Sequence, residues 1–506
     1  MKKLYIKNSH FLFLAAVLLL SACYKDKGNY AYQEINRITV VDPAAGSRIY
    51  IYQGDTLKLN PVVNQTFPSD DLSYAWFVYN NSSNSVYTMP RDTIARTPNL
   101  SYKVTGDIFV LGENYRLTVK VTDNKTGVSS VRQYDLTISN KYGSGWMFLE
   151  EKGNGADMSM ILPDNTAEHS IYSLLNPSSP LGKPVSITSS QFNVTDDMST
   201  PNKRIYIQTE NDAIELNNLT LTKKFDIGYL FFMKPQVVKP TYIGWAAYIY
   251  GAAPFQRIGI AINNGQVHTN LVGGFPGIKK WGEAITNPDG LYDYNIAPFI
   301  AGSTGYSATY PVVVYDKKYK RFYSVGPNAL AAFPAAASTV FDMNNVGMDI
   351  LMLDSSNVVD RYNAVMKDGS TPYLLQFRTA VTTGDPVATI TKTAMNAPGI
   401  VNAAALASST LTPHIFYGTA NELYKYETSS DTYSNIYSFP AGENVTKMDY
   451  QRSVPGAGQQ RLVVTTWNGT EGKVYFFDIS PVGDLGGSYT DVFDGFDKII
   501  DLAYKY

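Results

Sequence analysis

The sequence predicts an all-β protein in which a β-sandwich is followed by a β-propeller closed by the last strand of the chain. Three observations carry this. Tyr and Gly each occur 38 times in 506 residues, and the Tyr-, Thr- and Val-rich text is broken by Asn, Gly and Pro turns. From about Tyr30 to Ser139 apolar residues alternate at period two between turn signals. From Lys141 onward a strand–turn–strand unit recurs every ~40–60 residues, the spacing of propeller blades. No stretch holds an amphipathic helical period for long.

The N-terminus reads as a targeting segment. Lys2, Lys3 and Lys7 precede an unbroken apolar run from Phe11 to Leu20, about half the ~20 residues a membrane-spanning helix needs. Small Ser21 and Ala22 then lead into Cys23, the single cysteine of the chain. Region order and length are those of a secretory signal peptide over residues 1–22. Leu20-Ser21-Ala22-Cys23 resembles the bacterial lipobox, in which the chain is cut before the cysteine and the thiol carries the lipid. The resemblance implies that Cys23 is lipidated, that residues 23–29 form a lipidated linker, and that the protein sits on the outer membrane. The charged residues after it, Lys25, Asp26 and Lys27, resemble surface-export signals, so the cell surface is expected, with a periplasmic orientation left open. With no second cysteine, the exported fold must hold through its core alone.

Residues 30–140 form the expected sandwich. "RIYIYQGDTLKLNPVV" places two strands around Gly54-Asp55, and "LSYAWFVYN" sets Tyr74, Trp76 and Val78 on one face. "NYRLTVKVTDNKTGVSSVRQYDLTIS" reads as a hairpin turning over Asp123 to Gly127. A tryptophan on a central strand and Tyr115 opening a late one fit an immunoglobulin-like sandwich with Trp76 in its core. "LSYAWFVY" and "YRLTVKVTD" are similar to PKD-type modules.

Residues 141–506 form the expected propeller. Seven copies begin near Trp146, Arg204, Arg257, Arg321, Pro372, His414 and Arg461, with turns containing Asn154, Asn211, Asn263-Asn264-Gly265, Asn328, Gly384-Asp385, Asn421 and Asn468-Gly469. Asn and Gly suit tight hairpins, which need positive φ. Preceding strands are expected at "FNVTDD", "PVVVYD", "GIVNAAAL" and "VTKMDY". Seven blades follow, with six or eight, or a large sandwich, as the alternatives. The C-terminal "FDKIIDLAYKY" matches "NVTKMDYQR" but has no hairpin after it, whereas Trp146 has a hairpin and no propeller strand before it. Ile499–Tyr504 should therefore pair beside Trp146–Glu150 and close the ring.

Composition and motifs exclude several chemistries. With 42 basic and 44 acidic residues and no long charge run, the chain lacks the concentrated positive field that nucleic-acid binding requires. Beyond the signal segment the histidines are His169, His268 and His414, without the spacing of a zinc site. There is no nucleophile elbow and no phosphate-binding glycine loop. "DMNNVG" before Asp349 has Val346 where a calcium loop needs an oxygen, so an ordinary turn is expected there. Glu150-Glu151, Asp196-Asp197 and Glu210 are the clustered carboxylates an acid/base pair would draw on. No catalytic residue, metal or cofactor is assigned. Binding is expected instead at Trp281, Tyr292 and Tyr294, in a long Gly- and aromatic-rich insertion between Arg257 and Arg321, and at Trp467 beside the last hairpin turn. Flat aromatic faces there suit a sugar ring or an apolar peptide side chain.

Taken together, the lipobox residues, the strands around Trp76 and Tyr115 and the C-terminal repeat resemble PKD-like family lipoproteins that accompany SusC/SusD-type outer-membrane importers. The resemblance implies a non-catalytic surface accessory that captures glycan or peptide for such an importer. The alternatives are a propeller hydrolase or lyase acting on polysaccharide, and a purely structural or adhesive lipoprotein.

Overall fold

A computed structural model describes residues 35–81, 92–190, 203–245, 258–271, 280–302, 310, 312–326, 328–334, 340–358, 361–379, 387–450 and 460–505. The signal segment, Cys23, Asp196-Asp197, the "FNVTDD" strand and the Gly384-Asp385 turn lie outside the described residues. The chain divides into two compact units, one through Ser139 and one from Asn140.

The first unit is built on a five-stranded sheet in the order Ile49–Tyr52, Ser129–Ser139, Asn114–Asp123, Leu72–Asn80, Asp92–Ala95. The strand pairs Ile38–Val41 with Val62–Gln65 and Thr56–Leu59 with Leu100–Lys103 complete it. Alternation decides what is buried. Trp76 and Val78 on one strand and Leu117, Val119 and Val121 on its neighbour are sealed inside. The Trp76 ring stacks on Tyr134 at 5.9 Å and its indole N–H donates to Thr97 O at 2.8 Å, so this tryptophan is core. Tyr115 Oη accepts from Val110 N at 2.8 Å, the backward-reaching tyrosine contact of immunoglobulin-like sandwiches. The segment around Gly54 (φ 99°) joins two strands that pair in different sheets, so it is a corner between layers.

The second unit is a β-propeller. Seven antiparallel sheets succeed one another among its described residues, six with four strands and one with three. Their inner strands lie side by side around the axis, from the fourth sheet through the seventh and first to the third. Alternate residues along each strand feed opposite sheet–sheet interfaces. Met147 and Leu149 pack toward the second sheet, while Trp146 and Phe148 pack toward the seventh.

The ring closes as the sequence expects. Lys498–Lys505 is the inner strand of the first sheet and pairs antiparallel with Gly145–Lys152, with Trp146 opposite Tyr504 and Phe148 opposite Leu502. Trp146 and Tyr504 meet edge to face at 5.3 Å. Asp501 on this strand binds both neighbouring sheets. Its Oδ2 accepts from Ile187 N of the second sheet at 2.9 Å, and its Oδ1 lies 2.8 Å from Lys447 Nζ of the seventh.

Two of the expected repeat units are out of phase. Arg321 and Pro372 open third strands of their sheets; the second strands are Val312–Asp316 and Arg361–Asp368. Each sheet's true second-to-third turn carries its positive φ in text that reads differently from the others: Lys320 (φ 52°) in one and Gly369 (φ 57°) in the other. Likewise the strained residues in the first and sixth turns are Gly153 and Ala420, each next to the asparagine that marked the turn in the sequence.

In the insertion expected between the third and fourth sheets, described residues 281–285 and 296–302 are scaffold. Residues 281–285 run beside the outer strand Gln266–Leu271, with Gly282 N donating to Thr269 O and Ile285 N to Val267 O. They stand in for the fourth strand of the three-stranded sheet. Residues 296–297 then pair with Asp316 and Tyr315, extending the inner edge of the fourth sheet that Ala301–Gly302 continues. Pro288 and Pro298 interrupt these ladders, which is why the segment reads as loop.

Candidate functional site

Inner strands begin, and second strands end, at the same rim of the ring. Asn444 pairs with Trp467, Asp349 with Lys367, Pro240 with Asn263 and Lys498 with Glu151. This turn-bearing rim holds the loops on which a rigid scaffold usually presents binding groups.

The structure separates the four aromatic candidates. Trp281 is a correction: it is 1 % exposed, with its ring enclosed by Tyr206 at 5.4 Å, Trp245 at 5.9 Å and Phe231 at 6.2 Å. The surrogate fourth strand turns it inward, so it has no face to offer a ligand. Tyr294 is a second correction. It is 6 % exposed, donates to Ile285 O at 2.6 Å and accepts from Val267 N at 3.2 Å. Burial pushes its phenol up to about 12. Tyr292 is 53 % exposed, on the connection between the third and fourth sheets. Trp467 is half-buried at the end of the second strand of the seventh sheet. Tyr292 and Trp467 therefore belong to separated parts of the ring and form no common cluster.

The strand end that carries Trp467 is tied through the preceding residue: Thr466 Oγ1 donates at 3.3 Å to buried Glu443, which also accepts from Lys473 Nζ at 2.6 Å and from Tyr475 Oη at 2.6 Å. Burial alone would raise the Glu443 carboxyl. The donors from Lys473, Tyr475 and Thr466 outweigh it and hold the group below its usual range. The following turn is locked by Asn468, whose Oδ1 accepts from the backbone N–H groups of Thr470 and Glu471 at 2.9 and 2.8 Å. Trp467 thus stands half-buried at a braced strand end, opposite the exposed Asn444 in the ladder, where an indole can stack on a ring. The sequence singles out Trp467 but gives no signal for Glu443, whose partners come from residues 23 to 32 positions away.

The carboxylates resolve as follows. Glu150 lies directly opposite Asp157 in the first sheet, and both are buried. Glu150 Oε2 accepts from Asp497 N at 2.6 Å, and burial, with Asp497 and Asp157 nearby, pushes its carboxyl up to about 7. Asp157 is committed to Ser173 through its backbone N–H and hydroxyl. Glu210 is exposed. The histidines sit in or beside the first, third and sixth sheets. No group of three His, Cys, Asp or Glu among the described residues is placed to hold a metal. In "DMNNVG", Asp342 accepts from Asn344 N, Asn344 binds Phe333 through both its amide atoms, and Val346 is buried.

A model of the PKD-like family matches residues 23–184, which span the first unit and the start of the second. No curated protein matches the chain. Among solved structures, a quinonprotein alcohol dehydrogenase-like protein from Bacteroides thetaiotaomicron is similar at 11 % identity and TM-score 0.42, covering 91 % of this chain and 96 % of its own. The Dos1 propeller is similar at 9 % identity and TM-score 0.36, covering 77 % and 91 %. The Nup133 β-propeller domain of Vanderwaltozyma polyspora is similar at 10 % identity and TM-score 0.33, covering 62 % and 92 %. Likeness at these levels says nothing about activity.

Proposed function

We propose that the protein is a lipid-anchored outer-membrane accessory that captures a glycan or peptide at the turn-bearing rim of its propeller without transforming it, in association with a SusC/SusD-type importer. The observation that carries the binding reading is Trp467, a half-exposed tryptophan at a rim strand end whose neighbour Thr466 is tied to the buried Glu443. A carboxylate with three donors is committed to support and is poorly suited to proton transfer. The anchoring reading is supported by Leu20-Ser21-Ala22-Cys23 and by the PKD-like match starting at residue 23, where the mature chain would begin.

Two measurements test this. Calorimetric titration against a panel of oligosaccharides and peptides should find a ligand that product analysis shows unchanged. Trp467→Ala should then weaken binding by about 2 kcal/mol, roughly thirtyfold in Kd. Turnover of the ligand, or binding indifferent to Trp467, would refute the reading. For anchoring, metabolic acyl labelling should mark the wild-type chain and leave Cys23→Ala unlabelled and unprocessed. Continued labelling of the variant would show that the lipid is carried elsewhere.

A further inference from the structure

Three Asn-Gly pairs stand at propeller turns: Asn154-Gly155, Asn264-Gly265 and Asn468-Gly469. In such a pair the glycine nitrogen can attack the asparagine side-chain carbonyl, because no Cβ shields it. The fold sets the three apart. Gly155 opens a strand opposite Lys152, packed so close to Leu181 O that an added Cβ would lie 2.6 Å from it. Asn264 N donates to Lys239 O at 2.9 Å, and Gly265 O accepts from Ile296 N at 2.8 Å. At both sites, swinging the nitrogen onto the carbonyl would disturb a ladder or a pinned turn.

Asn468-Gly469 differs in three respects. Both residues are exposed, in the loop of residues 468–471 that joins Trp467 to Gly472. The Gly469 N–H makes no hydrogen bond among the described residues, and neither does the Asn468 amide nitrogen. Asn468 Oδ1, by contrast, accepts from Thr470 N at 2.9 Å, Thr470 Oγ1 at 2.9 Å and Glu471 N at 2.8 Å. Nucleophile and leaving group are thus free, while three donors converge on the oxygen that gains negative charge when the carbonyl is attacked. Donors fixed in advance around a developing oxyanion lower the barrier to forming it.

The geometry points to Asn468 as a self-modifying residue, converted without an enzyme through a succinimide. Gly469 N gives its proton to solvent and bonds to Asn468 Cγ. The Cγ–Nδ2 bond then breaks, and Nδ2 leaves as ammonia with a proton taken from water. Water opens the ring at one of its two carbonyls, leaving an aspartyl or an isoaspartyl residue at position 468. Either product places a carboxylate on the turn-bearing rim directly after Trp467. The aspartyl form keeps the turn, because a carboxylate accepts from the same donors more strongly than an amide does. The isoaspartyl form inserts a backbone carbon and displaces it. The conversion does not depend on the capture reading; if that reading holds, the altered turn weakens capture as the protein ages.

The purified full chain, incubated in neutral buffer and digested with trypsin, tests this, since cleavage after Arg461 and Lys473 isolates Asn468 from the other two pairs. Mass spectrometry should find conversion first at Asn468, at least about tenfold faster than at Asn154 or Asn264. Unfolding in urea should bring the three rates together. Thr470→Ala, which removes one donor in an exposed loop, should slow Asn468 about three- to tenfold and leave the other two rates and the melting temperature unchanged. Equal rates in the folded chain overturn the inference. So does a Thr470→Ala chain that converts at the same rate or faster, which would mean that the donors do not promote the attack. A rate order that persists in urea would assign it to the neighbouring residues in sequence and overturn it too.

Discussion

Deleting Lys498 to Tyr506 should abolish cooperative folding of the second unit and drive it into aggregates, while the first unit keeps its own unfolding transition. The nine residues carry the inner strand of the first sheet. Ile499 and Leu502 sit in the cluster between the seventh and first sheets with Phe148, Val463 and Phe476. Losing one such buried aliphatic side chain costs about 2–5 kcal/mol. Two of them, together with a full ladder to Gly145–Lys152, reach the ~5–15 kcal/mol that holds a typical domain folded. The truncation also bares the edge of Gly145–Lys152, a template for pairing with other chains. Differential scanning calorimetry and light scattering read both effects, and a truncated chain that melts like the parent would show that closure contributes little. Asp501→Ala separates the seam contacts from strand loss. It removes the partner of Lys447 and leaves Ile187 N without its acceptor. Because the Lys447 side chain is 41 % exposed, the cost should fall between the ~1 kcal/mol of a surface pair and the ~3 kcal/mol of a buried one.

The seam was legible in the sequence because two deficits matched: a hairpin without an inner strand at Trp146 and an inner strand without a hairpin at Ile499. The match is a local property of two strings of residues. Trp76 was legible for a similar reason, since period-two alternation fixes which face of its strand is buried. Trp281 and Tyr294 were not. Their burial depends on residues 281–285 lying against Gln266–Leu271, a pairing made through a few backbone hydrogen bonds and broken by glycine and proline. Aromatic residues in a Gly-rich segment look the same whether they face solvent or complete a sheet. The phase error at Arg321 and Pro372 has a related cause. In a repeat where every strand is short and apolar, any adjacent pair resembles any other, and a turn such as Lys317–Lys320 bears no Asn or Gly to set the register. The bracing of the strand end at Thr466 was invisible because Glu443, Thr466, Lys473 and Tyr475 meet only after the strands of the seventh sheet have paired.

The buried Glu150 makes the stability of the ring depend on pH in a predictable direction. It sits where the first sheet meets the closing strand, at the register shift between Leu149 and Glu150, and accepts from Asp497 N just before that strand begins. Burial raises its carboxyl from the ordinary 4.5 to about 7, with Asp497 and Asp157 adding to the rise. A carboxyl with a raised folded value binds its proton more tightly in the folded chain than in the unfolded one. Its contribution to stability is therefore greatest below about pH 4.5, declines as pH rises toward 7, and stays at its lowest above that. At ~1.4 kcal/mol per unit, the full decline is about 3 kcal/mol. Glu150→Gln keeps an acceptor for Asp497 N and removes the charge. Urea unfolding should thus find the variant about 2–3 kcal/mol more stable than the parent at pH 8, and the two nearly equal at pH 5. The difference between the two proteins isolates Glu150 from every other titrating group, since those are common to both. A constant offset across the pH range would mean that Glu150 is ionised at its ordinary value, and that the seam accommodates its charge without cost.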